Sequence, residues 1–405
     1  MKGFFSLKET KSESRPDGRT YSCASCGLIK HAQTPKMKPY GGFKKKILIV
    51  GSVPSSTDDR KGKPWQGTSG RWLAQSLQNF GIDLFEDCLS TFSVCCHPNK
   101  QAIGSYQIAC CRKSIIRLIK EKKPKIIIAF GQPALEGLIG HKRTDTGEFG
   151  KWRGYTIPDQ DYQAWICPVH HPSHADNANL EIRTIWDQDM KRALSLLNTP
   201  FPVHVEPTIE VITDLNILDT IKGEMVAIDY ETTGLKPHAK GHRIVCISVA
   251  DSKDHCYVFM TPSTRIKIFP FIRLLKNKTI GKVAQNMKFE HNWSFIRLRA
   301  SVENWIWDTM LASHQLDNRT GTSGLKFQTY VQFGIADYSS EISPYLQAVE
   351  EKNGNSHNRI LDLLKTKEGE DKLLHYCGLD TIFGFRLAVK QRIELEMDEY
   401  FDLPF

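Results

Sequence analysis

The sequence predicts an α/β protein of two domains. Three observations carry that expectation. Short apolar runs such as Lys46–Val50 (KILIV) and Lys125–Phe130 (KIIIAF) alternate with helical stretches, the pattern of a parallel sheet covered on both faces. The pattern runs twice, and between the two runs Asn198–Pro207 (NTPFPVHVEP) holds three prolines and no helical period, which marks a linker. With 405 residues, each half is long enough to bury its own core.

Residues 1–20 are polar and expected to be a mobile tail, so the first domain is placed at 21–198. Lys46–Val50 is β-branched and ends in Gly51, a buried strand at a turn. Gly70–Phe80 has helical spacing, Leu89–Val94 reads as a second strand and Tyr106–Lys120 as a helix. Lys125–Phe130, closed by Gly131, is the third strand; a helix begins at Pro133–Ile139 and a further strand is Ala164–Val169. Beyond the linker at 199–207, the second domain occupies 208–405. Its strands are Val226–Ile228, Arg243–Ala250, His255–Met260 and Ile280–Ala284, and Glu290–Leu298 and Ile306–Gln315 read as helices. Asp371–Glu396 reads as one long closing helix.

Hydrophobic residues at 40% and charged residues at 24% exclude wholesale disorder. The longest apolar runs fall far short of the ~20 residues a membrane helix needs, and the charged stretch after Met1–Leu7 argues against a signal peptide. Cytoplasmic location, in a bacterium or a phage-infected host, is the expectation. Residues 1–200 carry 30 Lys/Arg against 18 Asp/Glu, and residues 201–405 carry 24 against 27. The basic half suggests a polyanion partner such as nucleic acid; the near-neutral half leaves carboxylates free to hold metal ions. Eight of the eleven cysteines lie in the first half, and without a secretory signal metal ligation is preferred to disulfides.

In the second half, Asp229-Tyr230-Glu231 ends an apolar strand and precedes Thr232-Thr233-Gly234-Leu235. Residues i and i+2 of a strand share a face, so the two carboxylates enter one site and repel unless cations lie between them. Asn286-Met287-Lys288-Phe289-Glu290 follows a strand, Trp307-Asp308-Thr309-Met310-Leu311-Ala312 is placed on a helix, and Tyr376 and Asp380, four apart, share a face of the last helix. This ordered set resembles the 3′–5′ proofreading exonuclease domain of family A (polymerase I-like) DNA polymerases, within the DEDD superfamily, tyrosine type, over about 208–400. The resemblance implies a ribonuclease H-like fold and hydrolysis with two Mg²⁺ or Mn²⁺ ions held by Asp229, Glu231, Glu290 and Asp380. Glu290 stands where the family usually has Asp. By the same resemblance Tyr376 orients the attacking water, Leu235 packs on the terminal base, and Thr232 and Asn286 support the bound strand end.

In the first half, Cys23 and Cys26 form a C-x-x-C, and Cys96 and Cys111 each begin a C-[HR] step. Four thiolates suit zinc or an iron–sulfur cluster, which spacing does not separate. One member of each adjacent pair, Cys95/Cys96 and Cys110/Cys111, is expected to pack in the core. With Gly51-Ser52-Val53-Pro54-Ser55, Gly62-Lys63-Pro64-Trp65-Gln66-Gly67 and Val169-His170-His171-Pro172-Ser173, these cysteines resemble the iron–sulfur, family 4 type of uracil-DNA glycosylase over about 20–197. The resemblance implies a parallel-sheet sandwich, a 4Fe–4S cluster on Cys23, Cys26, Cys96 and Cys111 (zinc being the alternative), Trp65 stacking on a flipped base, and His171 facing the departing base. It departs at Ser52, where the family has a water-positioning Glu, and at Phe92, where an Asn reads uracil; phenylalanine supplies no donor or acceptor. Asp58 and Asp59 are nearby candidates to substitute.

The sequence therefore predicts a DNA replication or repair nuclease: a glycosylase-like DNA-binding module joined to a proofreading exonuclease acting on single-stranded or frayed 3′ ends. Its rivals are an active uracil-DNA glycosylase with an accessory trimming nuclease, and a non-enzymatic subunit. Because the polymerases it resembles continue into a larger domain, a separate DNA polymerase chain is the expected partner, docking near Glu394–Phe405. No membrane partner is expected.

Overall fold

The computed structural model describes residues 21–143, 146–176, 180–348 and 357–395; the expected tail at 1–20 and nearly all of the expected docking segment lie outside them. The described residues form two compact units that part between His204 and Val205, with Tyr330–Ala336 grouped in the first.

In the first unit, β1 (Ile47–Gly51), β2 (Cys88–Phe92) and β3 (Ile126–Phe130) are buried along their whole length, and β4 (Ile157–Asp159) and β5 (Ala164–Val169) complete a sheet of order β2-β1-β3-β5-β4. Pairing is parallel except for β4 on β5. The short antiparallel β4 escapes sequence reading because three residues carry too little periodicity. The helices are α1 (Cys23–Cys26), α2 (Ser56–Lys61), α3 (Thr68–Gln78), α4 (Ser105–Lys122), α5 (Gln132–Ile139), α6 (Pro172–Asp176) and α7 (Leu180–Ser195). Ile47, Ile49, Leu73, Leu77, Ile126, Ile128, Trp186 and Met190 meet in the main core, and a smaller cluster gathers Leu28, Val94, Cys96, Ile108 and Cys111.

The second unit has a six-stranded sheet of order β11-β10-β7-β8-β9-β6, made from β6 (Thr208–Val211), β7 (Met225–Thr232), β8 (Ile244–Ala250), β9 (His255–Met260), β10 (Gly281–Ala284) and β11 (Trp305–Asp308). The middle strands β7, β8 and β9 are antiparallel and the rest parallel. Its helices are α8 (Arg265–Lys276), α9 (Met287–Trp293), α10 (Thr309–Leu316), α12 (Ser343–Leu346), α13 (Ile360–Leu363), α14 (Lys367–Glu394) and the first part of α11 (Leu325–Phe333), whose residues from Tyr330 on group with the first unit. Two expectations change. Ile306–Gln315 is not all helix: Trp305–Asp308 pairs with β10, and Asp308 caps α10 through the N–H groups of Met310 and Leu311. Glu290–Leu298 is helical as expected, but α-helical only to Trp293, after which Ser294–Leu298 widens into a π-helical turn. The closing helix α14 crosses the sheet at Gly378, where a Cβ would stand 2.7 Å from Ile209 Cγ2. Glycine there permits the close approach despite its cost inside a helix.

Candidate nuclease and glycosylase-like sites

The alternation of β7 decides the nuclease site. Tyr230 turns into the core and its hydroxyl meets Ser294 Oγ at 2.7 Å, so Asp229 and Glu231 face the other way, towards α14. A register shift between Glu231 and Thr232 ends the regular pairing with β8, a local break of the kind common beside active sites. One carboxylate oxygen each from Asp229 and Glu231 and the sulfur of Cys377 lie within 4.8 Å of one another. The Cys377 thiol donates to Asp229 Oδ2 (3.8 Å) and to Ser248 Oγ (3.1 Å).

Asp380 and Tyr376, one turn apart on α14, complete this side: Asp380 lies close enough to act on the charge of Asp229 and Glu231, and all three carboxylates act on the Tyr376 phenol. Glu290 enters from α9, is 2% exposed, and its Oε2 has no hydrogen-bond partner. Burial, and then the Asp380 charge, raise Asp229 from an ordinary 3.8 to about 7, against the pull of Lys326. Burial, then Asp229, push Glu231 and Glu290 well above the usual carboxylate range, and burial, then Asp380, push the Tyr376 phenol up. Crowded, desolvated carboxylates with an unsatisfied buried oxygen suit oxygen-loving divalent cations, so the residues present fit Mg²⁺ or Mn²⁺.

Around this cluster, Leu235 is 68% exposed. The Thr232 hydroxyl donates to the Gly234 carbonyl (2.7 Å) and so holds the turn that presents Leu235. Asn286 adopts a left-handed conformation (φ 64°) at the start of α9, and its N–H and that of Met287 donate to Asp308 Oδ1 and Oδ2, both at 3.0 Å. Three residues gain a role that the sequence reading did not give them; of these only Asp308 lies in a motif quoted from the sequence. Asp308 is the latch for the Glu290 loop. Lys326 on α11 is ion-paired with Asp380 Oδ1, and the Tyr338 hydroxyl donates to that same oxygen (2.6 Å). The GLK and DYS contexts of the last two carry no spacing signal; Asp308, an acid at the start of a helical pattern, was legible as a cap.

In the first unit, Cys23, Cys26, Cys95, Cys96 and Cys111 line one cavity of about 370 Å³. Cys95, expected as a core residue, lines it too and is hydrogen-bonded to Cys111. Cys96 Sγ accepts the Lys36 N–H (3.3 Å), and α1 is tied to α4 by the Tyr106 hydroxyl on the Ser25 carbonyl (2.9 Å). Thiols from three segments, α1, the Cys95–Cys96 loop and α4, converge on one cavity and suit a thiolate-ligated metal group.

The glycosylase-like pocket is packed with carbon. Trp65, at φ +61° and 4% exposed, has its ring centroid 5.5 Å from Phe92, 5.8 Å from Phe130 and 5.8 Å from His171. A Cβ on Gly51 would come within 2.7 Å of Phe92 and 2.9 Å of Trp65, so the rings close directly over the strand end. Ser52 Oγ donates to the Phe130 carbonyl (3.2 Å). Burial lowers His171 to about 4, and its Nδ1 meets Ser173 Oγ at 2.8 Å. Asp58 and Asp59 are engaged elsewhere: Asp58 accepts the N–H groups of Ser55 (2.8 Å) and Gln66 (2.5 Å), and Asp59 those of Gln33 (2.9 Å) and Thr34 (2.8 Å). Both hold loops.

Residues 38–192 match the family model of the uracil DNA glycosylase superfamily, and residues 209–397 match that of the 3′–5′ exonuclease. The chain joins a glycosylase-superfamily domain to a 3′–5′ exonuclease domain. The type-4 uracil-DNA glycosylase of Sulfurisphaera tokodaii is 26% identical over 198 residues, covering 48% of this chain and 86% of that protein. The DNA polymerase of Bacillus phage SP01 is 26% identical over 339 residues, covering 72% of this chain and 34% of the polymerase, so the chain spans about a third of that relative. Brucella melitensis NrnC with bound Mg²⁺ is 20% identical over 48% of this chain and 84% of its own, with a TM-score of 0.35. No helix among the described residues is long and apolar enough to cross a membrane.

Proposed function

We propose that the exonuclease domain removes nucleotides from DNA 3′ ends in replication or repair, using Asp229, Glu231, Glu290, Tyr376 and Asp380. The observation that carries this reading is the convergence of desolvated carboxylates beside the unpartnered Glu290 Oε2. Two Mg²⁺ or Mn²⁺ ions held by these carboxylates would supply Lewis-acid stabilisation of the phosphodiester. Tyr376, kept a neutral phenol by burial, holds the attacking water by hydrogen bonding. Leu235 packs on the terminal base, while Thr232 and Asn286 shape the turns that receive the strand end. Cys23, Cys26, Cys96 and Cys111 hold a 4Fe–4S cluster in the glycosylase-superfamily domain, which binds DNA through its basic surface. Similarity to a phage DNA polymerase over 72% of this chain supports 3′ ends supplied by a polymerase.

Uracil excision is the weaker reading, because Ser52 and Phe92 offer no water-positioning carboxylate and no base-edge reader, and Asp58 and Asp59 are occupied. The test is digestion of end-labelled single-stranded, mismatched and uracil-containing DNA with Mg²⁺ or Mn²⁺. Wild-type protein should shorten all three from the 3′ end and leave uracil in place, while Asp229→Ala and Asp380→Ala, still folded, should be inactive. Wild-type rates in both variants would show the site assignment to be wrong.

A further inference from the structure

Lys326 is a cation that the carboxylate site does not account for. Its Nζ is ion-paired with Asp380 Oδ1 and lies 4.0 Å from the ring centroid of Tyr338 and 4.2 Å from that of Tyr376. The Tyr338 hydroxyl fixes the same Asp380 oxygen. The lysine side chain is 31% exposed and that of Asp380 9%, so the ammonium stands between the carboxylates and solvent. Lys282 shows the contrast. It is fully buried, and its ammonium is spent on the carbonyls of Asn277 and Ile280.

We propose that Lys326 is a catalytic residue of the exonuclease domain whose ammonium binds a non-bridging oxygen of the scissile phosphate; this rests on the exonuclease reading above. A divalent cation and an ammonium repel each other and compete for Asp380, so a cation held by these carboxylates would displace the ammonium from that oxygen. Attraction to the faces of Tyr338 and Tyr376 keeps it at the mouth, and the anion that arrives there in turnover is the phosphodiester. Lysine binds phosphate as a point charge, and the contact strengthens as charge grows on the phosphate oxygens. In hydrolysis the water oxygen bonds to phosphorus as the P–O3′ bond breaks. One water proton leaves to solvent, the departing 3′-oxygen takes one up, and the ammonium keeps all of its own.

The experiment compares Lys326→Met and Lys326→Arg in the full chain. It measures kcat and KM on single-stranded DNA with Mg²⁺, Mn²⁺ binding without DNA by electron paramagnetic resonance, and thermal unfolding. Lys326→Met should lose about 100-fold in kcat, with Mn²⁺ bound at least as tightly as by wild type because a competing cation is gone. Lys326→Arg should recover much of the rate. A wild-type kcat in Lys326→Met overturns the inference, as does Mn²⁺ binding weakened in step with activity, which would make Lys326 a mere support for Asp380. Both outcomes leave the exonuclease reading standing, whereas a wild-type chain that digests no DNA overturns the two together.

Discussion

Asp229 shows how one residue links chemistry to stability. Its carboxyl, raised to about 7, keeps its proton in the folded state from about pH 4 to about pH 7, where the unfolded chain has already released it. The folded state therefore binds more protons across that window, and the metal-free protein loses stability as pH rises through it. Glu231 and Glu290, shifted the same way, add to the trend. A divalent cation must displace these protons, so the increase in melting temperature on adding Mn²⁺ should be small at pH 5 and grow towards pH 8. A Mn²⁺ effect that is flat over this range would contradict the ligand set.

The loop between β10 and α9 and the junction of β11 with α10 are held by one side chain. Asp308 accepts four N–H groups, from Asn286, Met287, Met310 and Leu311. Hydrogen bonds to a charged group contribute about 1.5–3 kcal/mol each and are not additive, so Asp308→Ala should cost about 3 kcal/mol in urea unfolding. It should also slow DNA digestion by letting α9, and with it Glu290, shift. Asp308→Asn keeps one acceptor oxygen and should sit between; equal stability of Asp308→Ala and wild type would show that the latch carries nothing. From the sequence, Ile306–Gln315 reads as a helix throughout. Pairing with a neighbouring strand overrode local propensity at its first residues.

Each of the two units has its own core, and the cysteine cavity belongs to the first, where α1 has no buried residue of its own. Thiolate ligation would tie α1 to α4, so a Cys23→Ser, Cys26→Ser double variant should purify without iron and melt in two steps, the first at lower temperature than in wild type. Metal-dependent DNA digestion should persist. Stoichiometric zinc in wild-type protein would discard the cluster and keep the four ligands.

Local pattern and residue chemistry were enough for much of this. The buried strands around Ile47–Val50 and Ile126–Phe130 announce themselves by continuous β-branched runs, the position of the Pro-rich segment follows from composition, and Asp229 with Glu231 must share a face because a strand alternates. Family resemblance supplied the grouping of distant acids and cysteines. Other features depend on contacts between segments far apart in the chain. Lys326 and Tyr338 reach Asp380 only once α11 and the following loop are folded against α14, and Cys95 joins the cysteine cavity through a neighbour sixteen residues away. Asp58 and Asp59 looked available until folding brought Gln66, Gln33 and Thr34 onto them. Strand alternation and helical period act between neighbours and are written in the sequence, whereas ion pairs, latches and filled pockets are set by which surfaces meet.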